Sequence, residues 1–359
     1  MSIPHSAQRQ PDRQPSAWHG QGFSLIELMV GLVIGMATIL VIMQVFTLSE
    51  GSRRTGVGGD DAQTSGAIAL SSLQRDIRQG GYGLSRFRLI GCNLLLPAGW
   101  TVAAMAPVTI NPPDIPAGDA DTDTVRVAYG NSASASPDGV RISAQPGTPV
   151  YVVSTVPAFA RTDQVIAVAP TRPTPCNLTL EPVVLDTAAN PVTVGSGVAG
   201  VTGGLLFNLG PRPQILAYAV RGGNLTVCDY WVHDCSAAAD TTNPAVWTPI
   251  GSRVVSLRAQ YGRDTTAAPM DAIVDVFDQA TPNTACGWAR VFALRVVLVA
   301  RSAQFDKAVV TRSAPTWSGS AAQPVTLSGI ADWQHYRYKS YETTVPLRNM
   351  VWQGAQPGC

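Results

Sequence analysis

The stretch Gly22-Phe23-Ser24-Leu25-Ile26-Glu27-Leu28-Met29-Val30 marks an abrupt change in the chain. Residues 1–22 before it are polar and carry Arg9, Asp12 and Arg13. After it, Leu28 to Met43 holds no charge and is nearly all aliphatic, Gly or Ala. From Phe23 to Phe46 the one charged side chain is Glu27. As a helix rising about 1.5 Å per residue, that run measures roughly 36 Å, enough to cross a hydrocarbon core of roughly 30 Å. No proline lies between Phe23 and Pro97, so a long helix is permitted.

Two simpler readings of this segment fall short. A secretory signal peptide has a basic start, an apolar run of about 7–15 residues and a small-residue cleavage site. Here the polar segment and the apolar run are both too long, and the run contains a carboxylate. A plain signal anchor explains the length but not Glu27. An ionised carboxylate in hydrocarbon costs about 2.5–3.5 kcal/mol on insertion scales, so it needs a partner.

The glycine, the hydrophobic residue after it, and a glutamate five residues on before a long apolar helix resemble the class III signal of type IV pilins and type II secretion pseudopilins. The resemblance implies that a membrane prepilin peptidase cuts after Gly22 and N-methylates Phe23. It implies too that Glu27 is the assembly residue, paired with the Phe23 amine of the adjacent subunit. The chemistry is sensible: in a dry filament core a buried amine and a buried carboxylate require each other. Gly31 and Gly35 share a face and permit close helix approach. Ordinary membrane-helix composition explains those two glycines equally well.

The next segment, 49–61, holds Gly51, Gly56, Gly58 and Gly59. Each glycine weakens a helix by about 1 kcal/mol relative to Ala, so a melted or bent, flexible stretch is expected there. Leu70, Leu73, Ile77 and Leu84 then recur at near-helical spacing, with Ser71, Gln74, Arg75 and Arg78 on the other side. That pattern predicts an amphipathic helix over 62–84 docking on a globular body, with Gly80-Gly81 ending it.

Leu73-Gln74-Arg75-Asp76-Ile77-Arg78-Gln79-Gly80-Gly81-Tyr82-Gly83 resembles the helix end of PilW-type minor pilins, which carry a Leu-x-x-Asp-Ile-Arg-x-Ala-Gly-Tyr pattern with a Gly-Cys nearby. Here Gly80 stands in place of the alanine and Gly91-Cys92 lies further downstream. Asp121–Tyr129, Val254–Asp264 (ending in a Tyr-Gly-x-Asp turn), Trp288–Ser302 and Tyr341–Asn349 resemble strands of that family. Independently, 148–155, 163–169, 178–185, 213–220 and 291–300 are short, β-branched or aliphatic runs bounded by Pro, Gly, Asn or Asp. They argue for antiparallel sheet. The expected fold class is α+β and type IV pilin-like: a long N-terminal helix with an apolar first half, packed on an enlarged antiparallel β-rich head. The expected parts are a cytoplasmic leader at 1–22, a transmembrane or filament-core helix at 23–48, the flexible segment at 49–61, the amphipathic helix at 62–84 and a periplasmic head at 85–359.

Composition excludes several other classes. The 359 residues carry a net charge of +1 and 14% charged residues, with 33 glycines and 27 prolines. That balance argues against nucleic-acid binding, a coiled coil and a multispan membrane protein. Cys92, Cys176, Cys228, Cys235, Cys286 and Cys359 are compatible with three disulfides in an exported head, with Cys228 and Cys235 the favoured pair. The alternative, a metal held there with His233 and Asp234, fits no common zinc spacing. No cofactor is called for. Calcium is suggested only by the acidic loop Asp264, Asp271, Asp275, and by Asp119, Asp121, Asp123, neither of which has the glycine and terminal glutamate of a calcium loop. After Gly22 only His233 and His335 remain, and neither lies in a nucleophile motif, so no enzyme is expected.

The resemblance implies a single-pass inner-membrane protein that moves to the pilus tip. There it would join a priming complex for pilus assembly, supporting adhesion and twitching motility. Its implied partners are other minor pilins, the major pilin, a tip adhesin, the inner-membrane assembly platform and the prepilin peptidase. The alternative is a J-type minor pseudopilin at the tip of a secretion pseudopilus. A minor pilin specialised for DNA uptake is a further option, unsupported by the neutral charge.

Overall fold

A computed structural model describes residues 24–132, 138–154, 159–185, 190–356 and 358–359, with backbone alone at 48 and 50–63. Gly22 and Phe23, the expected cleavage and methylation site, lie outside the described residues. A helix runs from Leu25 to Gln79. It continues through 49–61, where a melted or bent stretch is expected from the glycines, and this corrects that expectation. The physical reason is cooperativity. Once a helix is nucleated, each further residue adds a hydrogen bond, whereas a break demands a second nucleus with its own entropic cost. The chain nonetheless divides into two compact units within this stretch, Met1–Thr55 and Gly56–Cys359. The helix also stops at Gln79 rather than reaching 84, because Gly81 turns the chain at φ +85°.

Within the second unit, Ala69, Leu73 and Ile77 are fully buried at helical spacing, while Ser71, Arg75 and Arg78 face solvent. This stripe joins a core with Leu294, Val296 and Leu298 of the strand Val291–Arg301. Gly66 marks the closest approach. A Cβ there would lie 2.4 Å from the Tyr341 ring and 3.1 Å from the Ala300 Cβ.

Among the described residues four sheets make the head, and the α+β class with an apolar N-terminal helix and a large antiparallel β-rich body is what the structure contains. The four-stranded sheet runs Val276–Asp278, Val254–Arg263, Val291–Arg301, Tyr338–Pro346, antiparallel throughout. Its central strand is buried on both faces by alternation. Val297 and Val299 point away from the helix, toward Trp317, Val325 and Leu327 of the returning segment 302–337. Tyr338–Pro346 is an edge strand of nine residues, with Lys339, Glu342, Thr344 and Pro346 exposed. A five-stranded sheet runs Thr248–Ser252, Asn224–Asp229, Gln214–Arg221, Val125–Tyr129, Val108–Ile110. A six-stranded sheet centred on Leu205–Gly210 encloses its own core around Ile142, Tyr151, Val165 and Leu206.

The fourth sheet, Thr101–Met105, Cys92–Leu95, Asn177–Thr179, contains one parallel pair, Cys92–Leu95 with Asn177–Thr179. That register sets Cys92 beside Cys176, and the two are bonded. Cys228 pairs with Cys235, and Cys286 with Cys359. The three bridges use all six cysteines, so neither Cys228 nor Cys235 is available as a metal ligand.

Candidate functional site

The first unit presents the chemistry expected of the N-terminal segment. Leu25–Thr47 is long and apolar enough to cross a membrane, and none of it is buried within the chain. Leu25, Ile26, Leu28, Met29 and their successors to Phe46 leave at least half of each large side chain exposed. A contiguous apolar surface of this size is unstable in water and requires lipid or other helices. The hydroxyls on the run are satisfied internally, Thr38 Oγ1 donating to the Ile34 carbonyl over 2.7 Å and Thr47 Oγ1 to that of Gln44 over 2.8 Å. Internal bonding of this kind is what hydrocarbon demands of polar groups. Glu27 sits in the first helical turn, where a carboxylate is also favoured by the helix dipole. At Gly31 and Gly35 an added Cβ would meet nothing within 4 Å, so the backbone is open to a neighbour on that face.

The second unit holds its part of the helix through a buried carboxylate. Asp76, 8% exposed, accepts hydrogen bonds from Tyr129 Oη at 2.9 Å and Tyr218 Oη at 2.5 Å. The two tyrosines stand on the neighbouring strands Val125–Tyr129 and Gln214–Arg221. Burial, and then the Asp76 charge, pushes both phenols far above their usual range. The sequence singles out Asp76 only as part of a motif. The signal for its partners is the spacing of Tyr129 and Tyr218, which strand alternation alone does not connect.

The acidic loop is organised around Asp264. Its carboxylate accepts from the Thr266 and Ala272 amides, each at 2.8 Å, and pairs with Arg290 at 3.3 Å. Asp275 instead accepts from the Thr265 amide at 2.7 Å, and this bond foremost holds its carboxyl below the usual range. Asp271 accepts from the Ile273 amide at 2.9 Å. The three carboxylates thus brace separate turns. Asp119 likewise takes the Gly222 and Gly223 amides at 2.9 and 2.8 Å, while Asp123 is buried against Ala259 and Asn111. Among the described residues no three His, Cys, Asp or Glu gather where they would hold a metal. Arg290 also donates to the Thr266 carbonyl at 2.7 Å and to the Cys359 carbonyl, so this node ties the loop to the segment closed by Cys286–Cys359.

Two histidines, His233 and His335, lie among the described residues. His335 Nδ1 meets the Asp306 carbonyl at 2.7 Å and its ring stacks on Phe305 at 5.0 Å. His233 lies inside the loop closed by Cys228–Cys235.

Residues 231–349 match the family model described as PilW, type IV pilus-assembly protein W. The match shows the PilW resemblance over the segment that contains Val254–Arg263, Val291–Arg301 and the edge strand Tyr338–Pro346. The motif around Asp76 and the strand Val125–Tyr129 lie outside it. No curated protein and no solved structure matches the chain.

Proposed function

From the pilus-assembly match in the head we propose that the chain is a minor pilin of a type IV pilus, acting in a tip or priming complex that starts assembly and thereby supports adhesion and twitching motility. The observation that carries this reading is the exposed apolar helix Leu25–Thr47 with Glu27 in its first turn, joined in one chain to a head that matches a pilus-assembly family. In this reading the leader 1–22 is cut after Gly22 and Phe23 is methylated. Its new amine then pairs with Glu27 of a neighbouring subunit, which favours one axial register. The apolar helix anchors the subunit in the inner membrane with the head in the periplasm, where the three disulfides form. The assembly platform and the other pilins are its partners, and its role is structural rather than catalytic. A large head suits a rare subunit at an end, because a major subunit must repeat along the filament without clashes.

Mass spectrometry on filaments sheared from cells tests this. The expected result is a peptide beginning at N-methylated Phe23, at low abundance beside a major pilin. A processed chain absent from filaments and co-purifying with a secretion system would overturn the pilus reading in favour of a pseudopilin.

A further inference from the structure

We propose that the cleft between the end of the long helix and Arg348–Trp352 seats a carboxylate side chain of another subunit in the assembled filament. This rests on the filament reading above. The cleft encloses about 400 Å³ and brings together Arg78 and Tyr82 with Arg348, Asn349 and Trp352. Two stretches singled out separately in the sequence, Leu73–Gly83 and Tyr341–Asn349, therefore meet at one place. Asp76 and Ile77 of the first stretch have internal roles, binding two tyrosines and filling the core. Arg75, Arg78, Gln79 and Tyr82 face outward, and all of these but Arg75 line the cleft.

The cleft is fixed in shape before any partner arrives. Asn349 Nδ2 donates to the carbonyls of Gln79 and Gly80 at 3.0 and 3.1 Å. Tyr82 Oη donates to the Ser132 carbonyl at 2.9 Å, and the Gly130 amide donates to the Tyr82 carbonyl at 2.8 Å. Binding here orders little that is not already ordered, so little affinity is lost to entropy.

Its charge is unanswered. Elsewhere in the head Arg126, Arg258, Arg263 and Arg290 each hold an aspartate. Arg78 and Arg348 are both exposed, and their guanidiniums make no ion pair or hydrogen bond among the described residues. A cation in the last turn of the long helix is accounted for by the helix dipole, which favours Arg78 where it stands. Arg348 opens the short helix Arg348–Val351, where a cation gains nothing from the dipole. A guanidinium pairs bidentately with a planar carboxylate, and two guanidinium-bearing residues line this cleft.

The rim points to a protein as the bearer. Trp352 is 83% exposed, the most exposed large hydrophobic side chain among the described residues of the head, with Val351 at 44% and Tyr82 at 37% beside it. Trp, Tyr and Arg are the residues that dominate protein–protein hot spots, where an aromatic rim excludes water from a central charged pair. A free small anion would leave the indole in water, whereas an acidic surface segment buries it.

The test places a photoreactive benzoylphenylalanine at Val351 in the full chain, in cells. Crosslinked peptides are identified from sheared filaments in which the N-methylated Phe23 peptide is measured at the same time. The expected product joins Val351 to a peptide of a different filament subunit, with Asp or Glu within a few residues of the crosslink. The double variant Arg78→Glu/Arg348→Glu lowers its yield about tenfold, with chain level and all three disulfides unchanged. Replacing the identified acid by Arg restores the yield in that background. Trp352→Ala lowers the yield with both arginines intact. A crosslink to lipid, to a second copy of this chain or to a segment without acid overturns the proposal, as does an unchanged yield in the reversed variant. In each of those cases the processed chain is still found in filaments, so the pilus reading stands. Absence of the wild-type chain from filaments overturns both.

Discussion

Tyr218 donates its phenolic hydrogen to the Asp76 carboxylate over 2.5 Å, joining positions 142 residues apart. Tyr129 donates to the other oxygen from the adjacent strand. One carboxylate on the helix therefore fixes both the rotation and the depth of the helix against the five-stranded sheet. Asp76→Ala leaves two buried hydroxyls without their acceptor. The loss is expected at about 2–4 kcal/mol, since bonds to a charged group contribute about 1.5–3 kcal/mol each and are not fully additive. Urea unfolding of the detergent-solubilised chain checks this; a change below about 0.5 kcal/mol, the scale of a neutral surface substitution, contradicts it.

The tyrosines also set an alkaline limit. Burial pushes Tyr261 and Tyr338 up to about 12, and Tyr129 and Tyr218 go up further in the same direction. These phenols keep their protons longer folded than unfolded. Their contribution is fully present below pH 10, the ordinary phenol value, and is lost as the pH rises from there through the folded values. The melting temperature is therefore expected to fall steeply between pH 10 and 12. A flat melting temperature across that window would show the phenols to be exposed.

Gly66 offers a test in which two effects oppose each other. Alanine is the better helix former by about 1 kcal/mol. Its Cβ, however, would lie 2.4 Å from the Tyr341 ring and 3.1 Å from Ala300. Overpacking of this kind costs about 1–3 kcal/mol, and more for a branched side chain. Gly66→Val is expected to destabilise the head, and Tyr341→Ala in the same chain to recover part of the loss. A double-mutant cycle without coupling refutes the close approach.

The disulfides differ in the loops they close, with sequence separations of 84 for Cys92–Cys176 and 7 for Cys228–Cys235. On the chain-entropy account, removing the first costs about 4.5 kcal/mol and the second about 2.5 kcal/mol. Paired Cys→Ser variants, compared by thermal unfolding, should rank in that order. The reverse order would mean that the short bridge restrains more of the unfolded chain than its loop implies.

Glu27→Ala removes the one charge on the apolar run and leaves the residues flanking Gly22 untouched. Processing to Phe23 is expected to be normal while the amount of the chain in sheared filaments drops at least about tenfold, in line with a lost buried ion pair. Full incorporation of the variant would remove Glu27 from the assembly contact.

Much of this architecture is legible in the sequence because it is periodic. Leu73 and Ile77 recur at helical spacing and are buried, with Leu70 half-buried beside them, and Val291–Arg301 reads directly as a strand. The break expected over 49–61 shows the limit of adding propensities residue by residue. Four glycines are each unfavourable, yet a helix responds to its whole length. Asp76 shows a second limit. Alternation says that Tyr129 and Tyr218 have an inward and an outward side, but not that one helical carboxylate lies between them. The cysteines show a third. Proximity in sequence favours Cys228–Cys235, whereas Cys92–Cys176 depends on a parallel strand pairing that only the assembled sheet reveals.

Among the described residues Tyr338–Pro346 pairs with a strand on one side only, over its nine residues. A bare edge of that length invites another chain to extend the sheet, which is how soluble proteins begin to aggregate. Lys339 and Glu342 stand exposed along it and Pro346 ends it. Charge and a residue without an amide hydrogen make such growth unfavourable. Under the proposed pilus function, a chain that polymerises through its apolar helix is in this way kept soluble at its sheet, and self-association is confined to the route that ends in an ordered fibre.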